Sequence, residues 1–151
     1  MYKVVFVDFD NTYFIWDSLK ERKDNILESR IKGTFDYKEY GYVNTKMVKK
    51  LKDYKSKNPN TMFHLISHCQ NSVELKVKEQ FILKETPDLF RTFISVSSAE
   101  EKILFIKTYA QACGIKSNDC ILIDDIHKTI RLCRDSEIPA KTPIEVIYKG
   151  I

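Results

Sequence analysis

The chain has 151 residues, 43% hydrophobic and 30% charged, which gives one domain with a single sizeable core and excludes a disordered polymer. No apolar run approaches the ~20 residues that a membrane-spanning helix needs. The net charge of +4 is local: residues 1–58 hold 13 Lys/Arg against 9 Asp/Glu, and 41–58 alone carries six lysines and one acid, so this is no whole-chain polyelectrolyte.

Residues 2–7, "YKVVFV", read as a buried strand, and it runs straight into Asp8 and Asp10. Next comes a stretch too long for a plain crossover, 13–58. Within it, 18–33 reads as a helix stopped at Gly33, and "TFDYKEYGY" (34–42) as an aromatic loop or flap. A second helix is expected over 43–57, with Val43, Met47, Leu51 and Tyr54 inward and lysines outward. Further strands are expected at 61–66, 91–96, 120–124 and 144–149. A helix over 72–85 would share one face among Val73, Val77, Phe81 and Lys84. Another over about 99–113 would bury Ile103, Leu104, Ile106 and Tyr109; Ser98 with Glu101 suits a capping box and Gly114 a stop. A last helix is expected from 125 to just before Pro139.

Apolar strands alternating with helices indicate an α/β fold, a Rossmann-like three-layer sandwich around a parallel sheet. We read 1–151 as one domain with a small helical cap insertion at about 13–58, too short to fold independently. The four cysteines (Cys69, Cys113, Cys120, Cys133) form no C-x-x-C pair and lie in or beside apolar segments. They read as buried, reduced thiols of a cytoplasmic protein. Met1 is followed almost at once by a strand, so no secretory signal is expected.

The chemistry lies at strand ends, because an open parallel sheet binds ligands beyond the carboxyl edges of its strands. Asp8 and Asp10 end the first strand. Two carboxylates so close in a partly desolvated place repel unless a cation or shared proton separates them. Ser67 and His68 end the second strand, and Asp124 and Asp125 the strand at 120–124. Lys102 enters from the first turn of the helix after the third strand; Lys84 and Lys107 are its competitors. This set supplies acidic ligands for a hard cation, a hydroxyl for phosphate oxygens and one fixed positive charge. Taken singly, each member has a structural alternative: strand-end acids and Ser67 as helix caps, Lys102 as a solvated helix residue, His68 as a loop residue. His64 and His127 have no ligand partner at metal spacing and read as structural.

In order and spacing, "VVFVDFDNT", "HLIS", the helix-start lysine and "ILIDD" resemble the four motifs of the haloacid dehalogenase superfamily of phosphohydrolases. The resemblance extends from residue 4 to about 126. It implies that Asp8 is the nucleophile, forming an aspartyl phosphate, and that Asp10 protonates the leaving oxygen and later activates water. An acid at position 10 points to the phosphatase branch. The resemblance further implies a magnesium cofactor held by Asp8, the Asp10 carbonyl and the Asp124–Asp125 pair, with Asp125 the main late ligand, and phosphate contacts from Ser67 and Lys102; His68, beside Ser67, could touch the substrate or be a solvated loop residue.

The substrate is a phosphorylated small molecule on this reading. "DFDNT" is frequent among nucleotidases of the superfamily, which tilts the choice to a nucleotide. Phe14, Trp16, Tyr37, Tyr40 and Tyr42 could stack on a base or simply pack. The lysines of 46–57 could attract phosphates or form a solvated face. The alternatives are a polynucleotide end-phosphatase and a non-enzymatic nucleic-acid-binding module on the same fold. No membrane partner is expected, and the oligomeric state is left open.

Overall fold

The computed structural model describes residues 1–20 and 26–151. Its centre is β1 (Val4–Val7), whose four residues are all buried. Side chains of a strand alternate between faces. Val5 and Val7 therefore enter one apolar cluster, and Val4 and Phe6 the other. β1 is sandwiched between β4 (Met62–His68) and β6 (Cys120–Ile123), both parallel to it. β5 (Thr92–Val96) and β7 (Ala140–Lys141) flank these to complete the order β5-β4-β1-β6-β7. The chain builds outward from β1 on one side and then returns to the other, so the strand order reverses at β1. That switch point is where a ligand crevice opens.

One face is covered by α2 (Thr45–Lys57), α3 (Ser72–Glu85) and α6 (Pro143–Lys149), the other by α4 (Ala99–Ala112) and α5 (His127–Asp135). The expected three-layer α/β fold is therefore present. Among the described residues no helix is long and apolar enough to cross a membrane.

Between β1 and α2 lies a small excursion. β2 (Phe14–Trp16) pairs antiparallel with β3 (Gly41–Val43), and α1 (Ile26–Lys32) packs on α3. Phe14 stacks on Phe9 and Tyr37 leans on Phe81, and Trp16 and Phe35 pack against these two edge-on or tilted, which anchors the excursion to the core. Gly41 is required there: a Cβ would stand 2.1 Å from the Ile15 carbonyl oxygen. The helix expected over 18–33 is seen as α1 alone; 18–20 form a turn, and 21–25 lie outside the described residues. Gly33 ends α1 at φ +79°, as expected. α2 packs on α6 and buries Met47, Val48 and Leu51, while Val43 belongs to β3.

Five expectations need correction. Residues 144–149 are not a strand but most of α6. Thr142 caps it and accepts from the Glu145 N–H, Glu145 bonds back to the Thr142 N–H, and Pro143 takes the first helical position. These start signals outweigh the β-leaning composition of "IEVIYK". In α3 the buried stripe is Glu74, Lys78 and Ile82, with Val73 and Lys84 exposed. A buried ion pair overrides the hydrophobic pattern there. In α4, Leu104 is exposed while Ile103 and Ile106 are buried. Glu101 bonds Ser97 instead of closing a box on Ser98, although Ser98 does accept from the Glu101 N–H. All four cysteines are free, but Cys113 is exposed at the C-terminus of α4.

Candidate active site

The end of β1 is fixed to the end of β6, since the Asp8 N–H donates to the Ile123 carbonyl at 2.9 Å. This register sets Asp8 beside Asp124. Both are buried, and Lys102 joins them, its Nζ donating to Asp8 Oδ1 at 3.0 Å and to Asp124 Oδ2 at 2.8 Å. Asp124 Oδ1 accepts from the Ile126 N–H at 3.0 Å. Past Asp8 the chain turns sharply. Asn11 adopts φ +55°, a left-handed conformation that asparagine tolerates, and the Thr12 hydroxyl donates back to Asp8 Oδ2.

Carboxylate oxygens of Asp8, Asp124 and Asp125 lie within 4.8 Å of one another. Burial pushes the Asp8 pKa up to about 7, with Asp124 and Asp10 adding to the rise and Lys102 opposing it. Burial, then Asp124, also raises Asp125. Lys102 loses by burial but gains more from Asp8 and Asp124, so its pKa is raised and it stays cationic. Three converging carboxylates against one ammonium leave an excess of negative charge. An all-oxygen donor set of this kind fits a hard divalent cation such as magnesium.

Asp10 sits apart from that trio. Its Oδ1 accepts from the Trp16 indole Nε1–H at 2.9 Å and its Oδ2 from Lys78 Nζ at 3.0 Å. The two acids of the opening motif thus occupy different surroundings, one among carboxylates and one between donors. Two carboxylates in such different surroundings are able to take different chemical roles.

A pocket of about 310 Å³ opens at this edge. Asp8, Asp10, Asp125, Lys102 and His68 line it, together with Asn11, Gln70 and Glu74. α1 contributes Leu27 and Arg30 from the excursion, opposite Ile126. Ser67 is fully buried behind this wall, held by Lys78, and does not line the pocket. Lys84 and Lys107 are exposed on their helices and take no part. His64 is a packing residue that bonds Tyr109 and Thr92. His127 is exposed at the start of α5.

Sequence reading missed Lys78, Glu74, Arg30 and Thr12, and it named Trp16 only as a ring to stack or pack, not as a donor to Asp10. Glu74 and Lys78 are four apart, a spacing that usually marks a solvated helix pair; only the tertiary fold buries them. None of the lysines of 46–57 lines the pocket, and neither do Phe14, Trp16, Tyr37, Tyr40 or Tyr42. Phe14 and Tyr37 are buried in the aromatic cluster, and Tyr42 is exposed.

No protein-family model and no curated protein sequence matches the chain. Solved structures do. A HAD family enzyme from Bacteroides thetaiotaomicron, in complex with magnesium and inorganic phosphate, superposes with a TM-score of 0.59 at 13% identity, covering 94% of each chain. A HAD-superfamily hydrolase of subfamily IA from Geobacter sulfurreducens gives 0.57 at 14% identity, over 92% of this chain and 85% of that one. The N-terminal part of a Bacteroides fragilis protein, containing a phosphatase domain complexed with magnesium, gives 0.54 at 14% identity, over 94% of this chain and 35% of that one. The protein has the haloacid dehalogenase-like fold.

Proposed function

We propose that the chain is a magnesium-dependent phosphomonoesterase that works through an aspartyl-phosphate intermediate. The observation that carries the reading is the convergence of Asp8, Asp124 and Asp125 around Lys102, with Asp10 held separately beside them. The shared fold supports it, since one relative was crystallised with magnesium and phosphate together.

Residues that would hold the metal are Asp8, Asp125 and the backbone carbonyl of Asp10. Asp124 has both oxygens engaged, by Lys102 and the Ile126 N–H, which favours Asp125 as the direct late ligand. Bound there, magnesium would supply positive charge that offsets the carboxylates and stabilises the charge of the phosphoryl group. A carboxylate oxygen of Asp8 attacks phosphorus, the bond to the leaving oxygen breaks, and Asp10 gives that oxygen its proton. Asp10 then takes a proton from water, whose oxygen attacks phosphorus, releasing inorganic phosphate and regenerating Asp8. Lys102, fixed by its two carboxylates, keeps Asp8 oriented and offers charge to the phosphoryl group; His68 stands at the pocket's mouth.

The substrate on this reading is a small phosphorylated molecule. The nucleotide choice rests on "DFDNT" alone, since no Phe, Tyr or Trp of the described residues lines the pocket. The deciding experiment is a phosphatase screen with magnesium over nucleotides, oligonucleotide ends, sugar phosphates and phosphopeptides. Turnover of at least one class is expected. Absence of turnover, with retained oligonucleotide binding, would favour the non-enzymatic alternative.

A further inference from the structure

We infer that Lys78 is a positioning residue, clamping the Asp10 carboxylate and the Ser67 hydroxyl into one hydrogen-bonded frame; the catalytic consequence rests on the phosphatase reading above. Lys78 projects from the second turn of α3 and is completely buried. An ammonium has three hydrogens to donate. Its three acceptors are Ser67 Oγ at 2.9 Å, Asp10 Oδ2 at 3.0 Å and the His68 carbonyl at 3.2 Å. Two of these belong to the end of β4 and one to the loop after β1, so a single side chain ties together two adjacent strand ends. A buried charge persists only where it is paired and hydrogen-bonded, and here the second carboxylate is Glu74, one turn back at 3.8 Å.

Glu74 is itself fully occupied. It accepts from Arg30 of α1 at 3.0 Å and from the Gln70 N–H at 3.2 Å, and it cannot swing away without leaving both donors unmet. Asp10 is gripped from the opposite side by Trp16. One oxygen of the proton carrier is therefore held by the excursion and the other by the core. The consequence is an Asp10 carboxylate kept out of the Asp8–Asp124–Asp125 cluster and aimed at the pocket, where a leaving oxygen needs its proton.

The test compares Lys78→Met and the double variant Glu74→Gln/Lys78→Met with wild type. The double variant removes the Lys78 cation and the Glu74 anion together, so the net charge of the buried group is unchanged, and it serves where the single variant fails to fold. Initial rates are read with magnesium on an alkyl phosphate and on p-nitrophenyl phosphate, whose leaving group needs little protonation. A misplaced general acid should lower kcat about 100-fold on the alkyl ester and less than about tenfold on the aryl ester, with KM changed far less than kcat. Equal losses on both esters, or none, would overturn the catalytic role. Crystal structures of the wild type and double variant provide the second arm, independent of turnover. Asp10 should leave its wild-type rotamer in the variant; an unmoved Asp10 would overturn the positioning role. If wild type hydrolyses neither ester while Asp10 moves, the phosphatase reading fails and the clamp stands.

Discussion

Trp16 donates its indole N–H to Asp10 at 2.9 Å, so the first strand of the excursion touches the acid that the proposed reaction uses as its proton carrier. Trp16→Phe keeps the ring that packs on Phe14 and Phe35 but removes this bond. The expected loss is about tenfold in kcat, the equivalent of roughly 1.5 kcal/mol for one hydrogen bond to a charged group. The magnesium requirement should not move. Steady-state kinetics over a magnesium titration would check both.

Asp8→Asn should abolish turnover and keep the fold, because an amide cannot form the acyl phosphate. Wild type with magnesium and beryllium fluoride should bind that phosphate mimic on Asp8, and the variant should not. Fluorine NMR reports the bound mimic directly. Full activity in the variant would end the covalent mechanism.

The two late acids should fail in different ways. Asp125 is half-exposed and among the described residues has no side-chain hydrogen bond or salt bridge, so Asp125→Ala should keep the apo stability and lose the stabilisation by magnesium. That stabilisation is expected to reach about 2.7 kcal/mol at a concentration 100 times the dissociation constant. Asp124→Ala removes one of Lys102's two carboxylates from a fully buried place and should cost about 3 kcal/mol even without metal. Thermal unfolding of both variants, with and without magnesium, separates these outcomes.

His64 should make stability fall in acid. Burial, and secondarily Arg91, lowers its pKa from 6.5 to about 4, so the folded state holds it neutral between Tyr109 and Thr92. The stability contributed by the neutral ring is complete above pH 6.5 and is lost as pH falls from there towards 4. The loss amounts to up to about 3 kcal/mol. Melting temperatures measured between pH 7 and pH 4 should show it, and His64→Gln should flatten this part of the profile.

The sequence by itself determined four of the five strands of the sheet and the acids at its edge. Apolar runs at 4–7 and 120–123, with 62–66 broken only by His64, have one stable use, as strands buried on both faces, and Asp8, Asp10, Asp124 and Asp125 follow from where the first and last of these stop. Lys102 was legible as a first-turn residue after Ser98, a cap recognisable from local chemistry. Local patterns failed where a tertiary partner decides. "IEVIYK" has the composition of a strand, yet Thr142 and Pro143 start a helix and the sheet ends at Lys141. Glu74 and Lys78 have the spacing of a solvated pair, and nothing within α3 tells that Asp10, Ser67 and Arg30 wait on its inner side. Those partners come from the loop after β1, from β4 and from α1, 68 and 11 residues from Lys78 and 44 from Glu74 along the chain. A charge so placed is stable only after the fold has assembled its acceptors, which is why the donors around Asp10 had to be seen in three dimensions.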